Sequence, residues 1–180
     1  YKEFIRVGIL DEQSFSVHGA QASGCSPISE AHKKHSDIVK PVPNPNTIVK
    51  SLAIGTPADG YYAIRSMTET GGSAEDCSDE EVIRGIRDLD EYAGIFSETA
   101  GGVTVACARK LIDTGKIPRN ESIVLCITGQ HGRNLLSSAL GDSDNSILGN
   151  DGFHCLRLKV PVGTVKPSKG AFKTELESMQ

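Results

Sequence analysis

Six residues, Ser122-Ile123-Val124-Leu125-Cys126-Ile127, are apolar almost without a break and run straight into Thr128-Gly129. A half-exposed strand alternates apolar and polar side chains. A run without alternation predicts a strand covered on both faces, the setting of a parallel sheet flanked by helices. That one run points the chain to an α/β fold, and the rest of the sequence supplies the helices.

The clearest helix start is Ser78-Asp79-Glu80-Glu81, a capping box in which the Ser hydroxyl takes a backbone amide and Glu81 reaches back. Behind it Val82, Ile83, Ile86, Leu89 and Ala93 form one apolar stripe. Ile95-Phe96 then leads through Thr99-Ala100-Gly101-Gly102 into a helix carrying Val103, Ala106, Ala108 and Leu111, ended near Gly115. Upstream, Phe15-Ser16-Val17 predicts a short strand ending in Gly19, and Pro27 suits the first position of a helix after Ser26. Pro41, Pro43 and Pro45 make residues 37–46 a loop. Pro57 opens a helix whose apolar positions are Tyr61, Ile64 and Met67, and Gly71-Gly72 stops it.

Length and charge set the outer bounds. At 180 residues the chain holds one domain with a sizeable core, or part of a larger one. A net charge of −4, with acids and bases interspersed, argues against nucleic-acid partners, and no apolar run is long enough for a membrane. The start, Tyr1-Lys2-Glu3-Phe4-Ile5-Arg6, has no signal-peptide core and no initiator Met, so a beginning within a longer protein is expected. Five cysteines without a CxxC pair suit reduced thiols and a cytoplasmic location. No metal is expected: Cys25, His32 and His35 include only one His pair, on a lysine-rich face.

Ligands of open α/β sheets bind outside the carboxyl ends of strands. Three turns have suitable residues: Ile54-Gly55-Thr56-Pro57-Ala58, Phe96-Ser97-Glu98-Thr99-Ala100-Gly101-Gly102, and Ile127-Thr128-Gly129-Gln130-His131-Gly132. Each alone also reads as an ordinary turn with a good helix cap.

Taken in order, longer strings resemble the threonine synthases. They are Gly19-Ala20-Gln21-Ala22-Ser23-Gly24-Cys25-Ser26-Pro27-Ile28, Pro45-Asn46-Thr47-Ile48-Val49-Lys50-Ser51-Leu52-Ala53-Ile54-Gly55, and Pro57-Ala58-Asp59-Gly60-Tyr61-Tyr62-Ala63. Gly94-Ile95-Phe96-Ser97-Glu98-Thr99-Ala100-Gly101-Gly102-Val103-Thr104 and Ile127-Thr128-Gly129 follow. The resemblance implies the tryptophan-synthase-β-like fold (fold type II) with pyridoxal 5'-phosphate as cofactor. It implies a lyase that converts O-phosphohomoserine and water to threonine and phosphate. Thr128 would face the pyridine nitrogen, Gly129 would shape that turn, and Gly55 and Thr56 would pass along the ring. Where this chain has Thr56 the family more often has Asn. Glu98 would lie near the substrate end.

The same resemblance makes this chain a carboxy-terminal piece. Residues 1–132 would form part of the catalytic domain, 133–158 an atypical loop or insertion, and 159–180 a tail in which Phe172 and Leu176 mark a short helix. The family's Schiff-base lysine and its phosphate-binding loop are not found, since Lys33, Lys34, Lys50 and Lys110 lack the context. The piece alone is expected to be inactive, and the full protein to be a homodimer. Two other readings fit the residues: a related lyase of the same cofactor family such as a threonine dehydratase, and a non-catalytic α/β binding module.

Overall fold

The computed structural model describes residues 1–11, 15–95 and 97–129. They belong to one compact unit, Tyr1–Gly141; the second unit, Asp142–Gln180, lies outside the described residues, as do the expected loop at 133–158 and the tail at 159–180. In chain order the elements are α1 (Lys2–Arg6), β1 (Gly19–Ala22), α2 (Pro27–Lys33), a 3-10 turn (Lys50–Leu52), α3 (Gly60–Glu69), β2 (Ala74–Cys77), α4 (Asp79–Ala93) and α5 (Thr99–Asp113).

The two strands pair in parallel, Gly19 opposite Ala74 and Ala22 opposite Cys77, with the helices packed around them. The expected class, α/β with parallel strands, is what forms. The first strand begins later than the β-prone run at Phe15. Val17 gives its amide to the Thr70 hydroxyl (3.0 Å), so the ladder opens only with the Gly19 amide on the Ser73 carbonyl (2.9 Å). The second strand, Ala74-Glu75-Asp76-Cys77, was not expected. Its two carboxylates meet Lys33, which pairs with Glu75 and lies 2.6 Å from Asp76.

Helix starts follow the local rules, with one addition. Pro27 takes the first position of α2, and the free amides of Ile28 and Ser29 both donate to the Gln21 side-chain oxygen at 2.9 Å. The capping box of α4 closes as expected: Ser78 N–H donates to Glu81 Oε2 (2.8 Å) and Glu81 N–H to Ser78 Oγ (3.3 Å). From its stripe Val82, Ile86 and Leu89 are buried, Ile83 is half-buried and Ala93 is exposed. In α3, Ile64 and Met67 are buried while Tyr61 faces outward.

The main core gathers Ala22, Val49, Cys77, Val82, Ile86, Val103, Ala106 and Cys107. Burying each larger aliphatic side chain contributes about 1.5–3 kcal/mol. Helices α4 and α5 cross at Gly85 and Gly102, where a side chain on Gly85 would strike the Gly102 carbonyl and one on Gly102 the Val82 carbonyl. The backbones touch because both residues lack a Cβ.

One expectation fails. Residues 122–129 belong to no strand or bridge, and Ser122–Cys126 are exposed, Val124 at 89 %. A strand covered on both faces needs ladder partners at its edges and helices over it. Among the described residues the β1–β2 pair and its helices supply neither to this run.

Candidate cofactor site

Two of the three expected turns come together. Glu98 is the residue before α5, with extended backbone (φ −72°, ψ 175°). Its carbonyl accepts the Gly101 amide at 3.0 Å, starting the helix, and its own amide donates to the Gly129 carbonyl at 3.2 Å. The Glu98 side chain lies across Gly129, whose Cβ, were there one, would be 2.8 Å from Glu98 Cγ and closer still to the carboxylate. Glu98 is therefore fixed on the residue that follows Thr128.

The helix start is crowded on its inner side. Ser97 is fully buried and donates its hydroxyl to the Glu98 carbonyl (3.1 Å). A Cβ on Gly101 would stand 2.5 Å from Ser97 Oγ and 3.3 Å from Ile127 Cγ2. Thr99, at the first helical position, is 7 % exposed, and its hydroxyl has no hydrogen-bond partner among the described residues. A buried hydroxyl without a partner is uncommon, and this one is free to bond a water or a polar ligand group. Sequence reading did not single out Thr99, because a Thr at a helix start is unremarkable until its surroundings are known. Thr128 itself is exposed.

The third turn has other neighbours. The Gly55 carbonyl accepts the Val42 amide at 2.9 Å, and a Cβ on Gly55 would overlap the Val42 carbonyl and lie 3.4 Å from Pro45 Cγ. Thr56 is exposed. This glycine fits the chain against itself in the proline loop. The neighbouring string is anchored by Asp79, which accepts the Thr47 hydroxyl at 2.6 Å and the Ile48 amide at 3.2 Å.

Three lysines near the strands turn to carboxylates. Lys33 pairs with Glu75 and Asp76, Lys110 with Glu81 (3.3 Å) and Lys116 with Glu75 (3.9 Å). Cys25 is buried, and burial pushes its thiol pKa up, against a nucleophilic role. His32 lies in α2, whereas His35 lies beyond the helix end in the left-handed region (φ 51°). Burial first, then His35 and Lys116, lowers the His32 pKa.

The start of α5 and the 127–129 turn, joined through Glu98 and Gly129, carry polar groups that a cofactor could use: the exposed Thr128 hydroxyl, Gly129 beside it and the buried Thr99 hydroxyl. The family model described as pyridoxal-phosphate dependent enzyme matches residues 5–129. The chain belongs to the pyridoxal-phosphate dependent enzymes. Among its relatives, the threonine synthase of Methanocaldococcus jannaschii is 37 % identical over 147 residues, 82 % of this chain and 36 % of that protein. That of Methanosarcina acetivorans is 38 % identical over 131 residues, 73 % of this chain and 32 % of that protein. This pyridoxal-phosphate dependent enzyme chain thus spans about a third of the length of those relatives. Of solved structures, maize serine racemase matches at 16 % identity with a TM-score of 0.46, over 58 % of this chain and 30 % of that one. Among the described residues no helix is long and apolar enough to cross a membrane.

Proposed function

We propose that the chain is part of a threonine synthase, a lyase that turns O-phosphohomoserine and water into threonine and phosphate. The observation that carries this reading is the match to two threonine synthases at 37 % and 38 % identity, across the segments that hold the candidate turns. Pyridoxal phosphate would serve as the electron sink for carbanion chemistry on the amino-acid substrate.

The residues of this chain would bind and orient. Thr128 would offer its hydroxyl to the ring nitrogen; a neutral donor there does not fix a proton on that atom, as a carboxylate would. Gly129 would make room for the Glu98 side chain, which would hold that turn in place. Thr99 would offer a second hydroxyl at the helix start. Gly55 and Thr56 would contribute from the proline-loop side. We further place the protein in the cytoplasm and read it as a homodimer. The piece spanned here would be inactive alone, since no lysine in it has the context of a Schiff-base residue.

The test is phosphate release from O-phosphohomoserine by the complete protein that contains this chain, loaded with pyridoxal phosphate. Threonine should form in equal amount, and Thr128→Val should reduce kcat by roughly tenfold or more for the loss of one oriented hydrogen bond. Deamination of threonine without phosphate release would replace this reading by a dehydratase. No turnover of either substrate would favour a binding module.

A further inference from the structure

Two free thiols meet where β2 ends against α5. Cys77, the last residue of β2, is 0 % exposed, and Cys107, within α5, is 1 % exposed. Cys77 Sγ lies 3.7 Å from the Gln21 carbonyl oxygen and 4.0 Å from that of Val103, one turn before Cys107. Cys107 Sγ lies 3.6 Å from the same Gln21 oxygen and 3.5 Å from the Glu75 carbonyl. The two sulfurs thus share one acceptor. The rest of this core is Ala22, Val49, Val82, Ile86, Val103 and Ala106, whose side chains cannot bond a thiol. Among the described residues each thiol therefore meets the other and backbone carbonyls. The Cys107 thiol first, and burial second, push the Cys77 thiol well above its ordinary range. Two charges act on the pair from outside. Lys110, whose Nζ donates to the Asp76 carbonyl at 2.7 Å, favours a thiolate, and Glu81, 3.3 Å from that ammonium, opposes it.

We propose that Cys77 and Cys107 are a redox-responsive pair, which a peroxide oxidises to a disulfide that ties β2 to α5 and loosens the contact between Glu98 and Gly129. The Cys107 sulfur gives up its proton and attacks one peroxide oxygen, so that an S–O bond forms as the O–O bond breaks. The hydroxide that leaves takes that proton and becomes water. The Cys77 sulfur then attacks the Cys107 sulfur, the S–O bond breaks, and the second hydroxide leaves with the Cys77 proton as water. Two thiols and one hydrogen peroxide become one disulfide and two waters, with two electrons passing from sulfur to oxygen. Cys77 keeps its proton until the second step, in line with its raised pKa. Burial makes the reaction wait for α5 to open from the strands, so it is slower than oxidation of an exposed thiol. A disulfide holds its sulfurs nearer than two hydrogen-bonded thiols can stand. Closing that gap moves α5, at whose start Glu98 gives its amide to the Gly129 carbonyl. None of this depends on the proposed lyase activity.

The test uses the complete protein that contains this chain. Exposed thiols, Cys126 among them, are first capped with N-ethylmaleimide under native conditions. Hydrogen peroxide is then added and the peptides are mapped without reduction. A linked pair of peptides holding Cys77 and Cys107 is expected, and dithiothreitol should separate it. Amide exchange at Glu98 should be at least about threefold faster in the oxidised protein, as its hydrogen bond opens more often. In Cys77→Ala and in Cys107→Ala, peroxide should leave that exchange unchanged. Where one of these variants does not fold, the other variant and the map of the unaltered protein still decide.

Four results overturn the proposal. Both thiols could remain free for alkylation when the peroxide-treated protein is denatured. Either residue could be found bridged to Cys25 or to another cysteine instead. Cys107 could reach a sulfinic acid with no bridge formed. A bridge that left Glu98 exchange as it was would make the pair a staple that switches nothing.

Discussion

The Glu98 amide donates to the Gly129 carbonyl at 3.2 Å while the Glu98 side chain fills the space that a side chain on Gly129 would need. Each residue thereby sets the position of the other, across 30 intervening positions of sequence.

Gly129→Ala should lower stability by about 1–2 kcal/mol, because the new methyl group displaces a packed side chain. Glu98→Ala in the same chain should recover most of that loss. Urea unfolding of both single variants and the double variant measures the coupling; purely additive losses would show that the two residues do not share one space.

At the crossing of α4 and α5 the obstacle is backbone, which cannot swing aside. Gly102→Ala should cost about 3 kcal/mol, since its Cβ would meet the Val82 carbonyl and stand 2.8 Å from Ile86 Cγ1. Gly71→Ala, with open space around it but φ of +66°, should cost only about 1 kcal/mol. Equal midpoints for the two variants in a denaturant series would contradict the contact.

Ser78→Ala removes one half of the capping box and should destabilise the chain by about 1 kcal/mol. Ser78→Asn should restore most of it. Amide exchange at Glu81 would report the lost hydrogen bond directly.

His18 gives the chain a pH dependence with a definite sign. Its Nδ1 accepts the Ser73 amide at 3.1 Å and its Nε2 lies 3.0 Å from Ser16 Oγ, so the neutral ring is the one that fits. Burial lowers its pKa from 6.5. The unfolded chain therefore takes up a proton first, and stability present above pH 6.5 is lost as pH falls towards the folded value. Glu69, held at about 2 by hydrogen bonds from Lys2 and Arg65, adds a second loss as pH falls from 4.5 towards 2. Melting temperature against pH should show both limbs, and His18→Gln should flatten the upper one only.

What could be read from sequence was local. The capping box needs four adjacent residues, and Pro27 needs only its own ring, so both were legible. Strand β2 was not: Glu75 and Asp76 look like turn residues until Lys33 and the β1 ladder are beside them. The apolar run at 122–127 was misjudged for the converse reason. Its composition specifies what would bury it, and the described residues contain no such partner. The site divides in the same way. Residues 98 and 129 were both picked out, yet their contact was invisible because it depends on where α5 begins. Gly55 was chosen for closeness to a ring, and the structure shows it close to Val42.

The seam between α4 and α5 has a consequence for chemistry some way from it. Gly102 lies one helical turn from Glu98, so the collar that admits no methyl group also sets the height and rotation of the helix from which Glu98 reaches the 127–129 turn. A slide of α5 along its neighbour would carry that anchor with it. The tolerance of the edge proposed to face the cofactor is thus inherited from a buried joint at a distance from it, and a substitution there should loosen the contact between Glu98 and Gly129 before it unfolds the chain.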